Sequence, residues 1–188
     1  MADKLVTLKT ALIRTEDSMA SPNKICAIAA LVFVLLSGEA GGQQKSLKEQ
    51  LIGTWILVSV DIIKPDGSRT ELFGPNPKGI IIYTADGHFA TVNARADLPK
   101  FASNRRDQGT TEENRAVVQG SIAYFGTYAV NEGDMVVTAK VEASTFAGMV
   151  GDPDQKRVVT LITSDELKLS NPVSTTGGKL ELIWRRAK

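Results

Sequence analysis

Gly53-Thr54-Trp55-Ile56-Leu57-Val58-Ser59-Val60-Asp61-Ile62-Ile63 opens the strand-like part of this chain, and Lys179-Leu180-Glu181-Leu182-Ile183-Trp184-Arg185-Arg186 closes it. The two ends match: a Gly-x-Trp at the start and an arginine at the finish. Those residue types are what an antiparallel barrel needs to seal its base. The indole of Trp55 fills the narrow end, and a terminal guanidinium stacks on its face, worth ~0.5–2 kcal/mol. A closed barrel of about eight strands has an interior just wide enough for one small ligand.

The segments between these ends follow the same pattern. Gly79–Thr84 meets His88–Ala94 through Asp86-Gly87, a strong hairpin signal. Phe125–Val130 turns at Asn131-Glu132-Gly133-Asp134 into Met135–Phe146. A Gly/Asp/Pro loop over 148–154 leads to Lys156–Thr163, then Leu167–Asn171, then the last strand. Regular short strands with tight turns predict an all-β, up-and-down antiparallel barrel of eight strands, or nine if Thr70–Phe73 pairs separately. One stretch interrupts the pattern, from Pro99 to Tyr124. There Thr110 or Thr111 caps a short helix with acids in its first turn. Ala116, Val117 and Ile122 are expected to face the barrel, so this insertion plugs or lids one end.

The chain has 188 residues, a formal net charge of +1 and 43% hydrophobic residues. That fits one domain with a real core and carries no basic stripe for nucleic acid. Residues 25–36 read ICAIAALVFVLL behind Lys24, with Gly38 and Ala40 following. A positive residue, an apolar run and a small-x-small site make a secretory signal peptide. The expectation is a leader over 1–40, translation from Met19, cleavage after Ala40, a linker over 41–48 and a barrel domain over 49–188. The run is short for a membrane span, so no stable anchor is expected after cleavage. The mature protein is then periplasmic or secreted. Cys26, the only cysteine, lies in the leader, which leaves the mature chain without disulfides or thiolate chemistry.

The region also resembles the bacterial and fungal lipocalin-like domain family. The matching stretches are Leu51–Trp55, Pro77–Gly87, Tyr124–Tyr128, Gln155-Lys156-Arg157, Leu167–Pro172 and Trp184-Arg185-Arg186, so the likeness spans 47–187. It implies a small barrel with a central pocket. The family carries no single activity that transfers to this chain. Members often have a Phe-Pro-Asn-Trp-like segment before the Gln-Lys-Arg strand. Here the stretch is Phe146-Ala147-Gly148-Met149-Val150-Gly151, which implies a looser rim.

Tyr83, Phe89, Asn93, Tyr128 and Arg157 are the residues proposed from sequence to touch a ligand. Along His88–Arg95 one alternating set holds Phe89, Thr91, Asn93 and Arg95, a mixture suited to a pocket wall, and the opposite set is mostly small and apolar. Which set faces inward is left open. Arg157 begins an apolar strand. Facing inward, its planar donors suit a carboxylate or phenolate; facing outward, it is an ordinary surface arginine. Tyr83, Tyr124 and Tyr128 either offer hydroxyls to a ligand or pack the barrel. His88 follows a turn and reads as an exposed histidine. One histidine and no mature cysteine argue against a transition-metal site, and Gly151-Asp152-Pro153-Asp154 reads as a surface turn rather than a calcium loop. No metal or cofactor is called for.

These readings point to an exported protein that binds a small, mainly apolar molecule. Two alternatives remain: a barrel isomerase or cyclase, with Glu71, Glu142 and Glu181 as the carboxylates to inspect, and a structural envelope module. In the last, Ile80–Ile82, Phe89, Phe125, Met135 and Phe146 would fill the interior.

Overall fold

The structure is a computed structural model and describes residues 45–153 and 155–188. The expected leader, Met19, the cleavage site and linker residues 41–44 lie outside the described residues. The described elements are helix α1 (Leu47–Leu51), strands β1 (Gly53–Ile63), β2 (Arg69–Glu71), β3 (Lys78–Tyr83) and β4 (His88–Ala94), helix α2 (Thr111–Gly120), β5 (Ser121–Asn131), β6 (Val136–Ser144), a 3-10 turn (Ala147–Met149), β7 (Lys156–Ile162), β8 (Glu166–Asn171) and β9 (Lys179–Arg186). They form one antiparallel sheet in which β9 pairs back onto β1. Eight strands close the ring, and β2 is a ninth, paired to β1 alone. β3 takes the edge of β1 at Gly53–Ile56 and β2 takes it at Asp61–Ile63, so the two share one strand.

A bulge keeps β1 in phase. Its register on β9 shifts between Leu57 and Ser59. An unbroken alternation would carry the inward set through Trp55, Leu57 and Ser59. The extra residue instead turns Val60 inward, where it is buried with Trp55 and Leu57. β5 and β6 carry a second shift at Phe125/Gly126, where a Cβ on Gly126 would meet the Lys140 carbonyl at 2.0 Å.

Helix α1 closes the base. It opens inside the segment read as a linker, although Ser46 and Glu49 stand at the spacing of a helix-capping pair. Five residues are too few to hold a helix unaided. This one is pinned from outside at both ends. At the start, Ser46 and Glu49 form a capping box, and the Glu132 carboxylate accepts from Leu47 N at 2.7 Å and Lys48 N at 3.1 Å. At the finish, Arg186 donates to Gln50 O at 2.7 Å and Ile52 O at 3.0 Å, and Trp55 Nε1 donates to Leu51 O at 2.8 Å. These are carbonyls that a helix end leaves without an internal partner. The Arg186 guanidinium also lies 3.9 Å from the centre of the Trp55 ring. Gly53 makes this possible: its φ is +124°, and a Cβ there would stand 3.0 Å from the Arg186 guanidinium. The seal expected from the two chain ends is therefore present, with Arg186 as the stacking residue.

Helix α2 lies between β4 and β5 at the other end. Thr110 is its cap: Thr110 Oγ1 accepts from Glu113 N, and Glu113 accepts from Thr110 N. The helix runs directly into β5, so Ile122 belongs to the strand. The interior filling differs from one expectation. Ile81 and Phe89 are buried as expected and pack with Trp55, Tyr83, Tyr128, Leu167 and Trp184, while Phe125, Met135, Phe146 and Ile82 are exposed. The bulge at Phe125/Gly126 and the outward phase of Ile82 account for two of these.

Because Trp55 and Arg186 share one seal, their losses should not add. Trp55→Ala is expected to cost about 3–5 kcal/mol in urea unfolding, and Arg186→Leu about 2–4 kcal/mol. The double variant should fall short of the sum by about 1 kcal/mol or more.

Candidate ligand-binding cavity

The inner face of each strand changes character along the barrel axis. On β4 the inward set is Phe89, Thr91 and Asn93, all buried, while His88, Ala90 and Val92 face out. That resolves the direction left open by the sequence. Phe89 sits near the sealed base, in edge contact with Tyr124 at 5.8 Å, and Tyr83 meets Tyr128 edge-on at 5.0 Å. Thr91 Oγ1 donates to Ile80 O and stays in the wall. Asn93 lies highest and reaches open space.

That space is a cavity of about 530 Å³ under α2. Its wall is largely Val60, Leu72, Phe73, Ile122, Met149 and Leu182, with Val118, Phe146 and Val173 exposed at the mouth. Asn93, Tyr124, Gln155, Arg157 and Asn171 are among the polar residues of its lining. A smaller void of about 20 Å³ lies nearer the base, lined by Tyr83, Phe89, Tyr128 and Trp184 among others. Tyr124, Arg157 and Leu182 line both spaces, so they are the partition between them.

The five residues named from sequence thus divide. Asn93 and Arg157 line the large cavity. Tyr83, Phe89 and Tyr128 line the small void beneath it, and Tyr128 is further tied down by donating its hydroxyl to Thr84 O at 2.9 Å. Tyr124, Gln155 and Asn171 join the upper group.

Arg157 faces inward and is only 8% exposed. Its Nη1 donates to Lys156 O at 3.0 Å, and its Nη2 donates to Gln155 Oε1 at 3.1 Å, with the Tyr124 hydroxyl a looser 3.5 Å away. None of these partners is a carboxylate, and among the described residues Arg157 makes no ion pair. The nearest acid by bonding is one step removed: Gln155 Nε2 donates to Asp152 Oδ2 at 2.7 Å. Asp152 lines the cavity, though the sequence placed it in a plain surface turn. The three glutamates singled out from sequence do not face this space. Glu71 and Glu142 are exposed, and Glu181 pairs outside with Arg69 at 2.8 Å and Lys179 at 3.1 Å.

His88 is exposed, with Nδ1 3.2 Å from Asp86. Among the described residues, no three His, Cys, Asp or Glu side chains gather as a metal site, and no helix is long and apolar enough to cross a membrane.

A closed eight-stranded barrel with one end sealed and one end hollow is the architecture of small-ligand binders. The chain belongs to the lipocalin-like domain family, whose model matches residues 52–187. A crystal structure of a lipocalin-like protein from Bacteroides uniformis ATCC 8492 is similar at 16% identity, covering 73% of this chain and 99% of that one with a TM-score of 0.41. None of the curated proteins matches the chain.

Burial pushes the Tyr83 phenol far above its usual range, with neighbouring Tyr124 acting in the same direction. Burial raises Tyr128 as well, helped by the Asp86 charge. Below pH about 10 folded and unfolded chains both keep these protons, and the stability is intact. Above it the unfolded chain releases them and the folded chain does not. Stability should then fall by about 1.4 kcal/mol per pH unit through Tyr83, until its folded phenol ionises too, with Tyr128 acting in the same direction. Urea unfolding between pH 9 and 12 should show this slope, and Tyr83→Phe should reduce it.

Proposed function

We propose that the protein is an exported carrier that holds one small amphiphilic molecule, with its apolar body along the upper barrel and an anionic end on Arg157. The observation that carries this reading is Arg157 itself: a guanidinium 8% exposed in a cavity wall, with only neutral groups as partners among the described residues. A buried charge with no carboxylate in direct contact costs several kcal/mol, and Asp152 reaches this one only through Gln155. A ligand carboxylate or phenolate offsets that cost and uses the planar donors in pairs. The apolar wall supplies the remaining affinity at about 25 cal/mol per Å² buried, before ordering costs. Export rests on the leader read at 1–40 and belongs to the same proposal.

Native mass spectrometry on residues 41–188, purified gently from the source cells, tests the reading. A discrete extra mass that leaves on denaturation supports it. A clean mass, unchanged after incubation with host lipid and metabolite extract, counts against it. The anchoring role is tested separately. Arg157→Leu should weaken dodecanoate binding at least about tenfold, the value of one charge-assisted hydrogen bond, and should leave dodecanol affinity nearly unchanged. Equal losses for acid and alcohol would sink the assignment of Arg157 as the anion anchor. Mapping the amino terminus of protein recovered from the cell envelope should find Gly41 first.

A further inference from the structure

Two buried amides in the cavity wall have hydrogen-bonding capacity that the protein leaves unused. Asn93 on β4 and Asn171 on β8 are 3% and 5% exposed, and both line the cavity. The side-chain oxygen of each is enclosed and has no hydrogen-bond partner. This is not general to the lining. Ser121 Oγ donates to Val117 O, Ser174 Oγ to Gly178 O, and Thr145 Oγ1 accepts from Ala123 N. Gln155 is engaged at both ends of its amide. Among the described residues, the two asparagines are the members of this lining that break the rule that a buried polar atom finds a partner, and Trp184 Nε1 does so nearer the base.

Their placement is specific. In the ring β1, β3, β4, β5, β6, β7, β8, β9, strands β4 and β8 stand four apart, on opposite walls. The wall beside Asn93 is cut back to receive it. Gly79 is its register partner on β3, and a Cβ at Gly79 would come within 2.5 Å of Asn93 Oδ1 and 2.8 Å of Leu57 Cβ. An apolar side chain of similar shape at either position would fill the same space without an unmet polar atom. Keeping an amide there disfavours the empty barrel and favours a ligand that meets it.

We infer that the ligand carries a hydroxyl group on its body, read by Asn93 and Asn171, so that the class bound is a hydroxylated amphiphilic acid. This rests on the carrier reading above and narrows it. A carboxylate meets only the amino end of such an amide and leaves its oxygen unpaired. A hydroxyl does suit them: it donates and accepts, and so satisfies an amide whichever end a half-turn about χ2 presents. A site built to bond a hydroxyl discriminates strongly against the analogue that lacks one, since its own polar groups are then left unpaired.

The test is titration calorimetry on the full chain with dodecanoate and its 2-, 3-, 10- and 12-hydroxy derivatives. One of the hydroxy acids should bind about tenfold tighter than dodecanoate, the value of about one net hydrogen bond. Asn93→Leu or Asn171→Leu should shrink that ratio towards one, without lowering the thermal midpoint of the empty protein. If either variant fails to fold, the wild-type ratio decides alone. Equal affinity for all five acids overturns the inference and leaves the carrier reading standing. No binding of any of them overturns both.

Discussion

The stacked pair of Arg186 and Trp55 is the constraint on which the rest of this barrel depends. It joins the last strand to the first, and so it forms only when the ring is closed. Its donors also reach the carbonyls of Gln50 and Ile52, and thereby hold down the helix that covers the base. A third donor, Arg186 Nε, reaches Ser164 O in the β7–β8 turn at 2.6 Å. One guanidinium therefore ties together three pieces of chain distant in sequence. Glu132 performs the complementary task at the other end of α1, where a carboxylate suits the exposed N–H groups.

A sealed base lets the upper half of the barrel stay hollow. The aromatic layer of Tyr83, Phe89, Tyr128 and Trp184 fills the lower interior, and the void left there is about 20 Å³. Apolar packing of that density supplies most of the stability such a small domain has. The upper interior contributes less. It holds an enclosed guanidinium and two asparagine oxygens without partners, all of which weigh against the folded state. Dense packing and open space are thus separated along the barrel axis, with Tyr124, Arg157 and Leu182 at the boundary.

Much of the fold was legible because its signals are local or sit at the chain ends. Asp86-Gly87 gives the β3–β4 hairpin its turn, with Gly87 at φ +91°. Gly53, Trp55 and Arg186 are residue types with one obvious joint use in a barrel. Helix α1 left only the Ser46-x-x-Glu49 cap as a local sign, and so short a helix holds through Glu132, 85 residues away from Leu47, and through Arg186 at the far end of the chain. The site was legible in part. Alternation grouped Phe89, Thr91 and Asn93 correctly, but alternation has no sign, and only ring closure says which face is inside. Tyr83 and Tyr128 were grouped with Asn93 and Arg157 because sequence gives no height along the barrel. Asp152, Phe146 and Val173 come from connections without periodicity, where no pattern marks the inward residues.

The same separation bears on how the cavity opens. Its mouth is framed by α2, the 3-10 turn and the β8–β9 connection, none of which pairs with a neighbouring strand in the ring. Helix α2 buries only Gly120, and the Ala102 N–H, followed by the helix's own cap at Thr110, holds the Glu113 carboxyl below the usual range. The helix is therefore stabilised mainly by its local capping and its join to β5, and little by the barrel wall. Val118 stands 77% exposed on it, beside Phe146 and Val173. A rim so built can shift without breaking the ladder of the barrel, whereas any shift at the base would break the bonds of Arg186. Motion at the mouth therefore falls where the fold has least to lose, as entry of the proposed ligand requires.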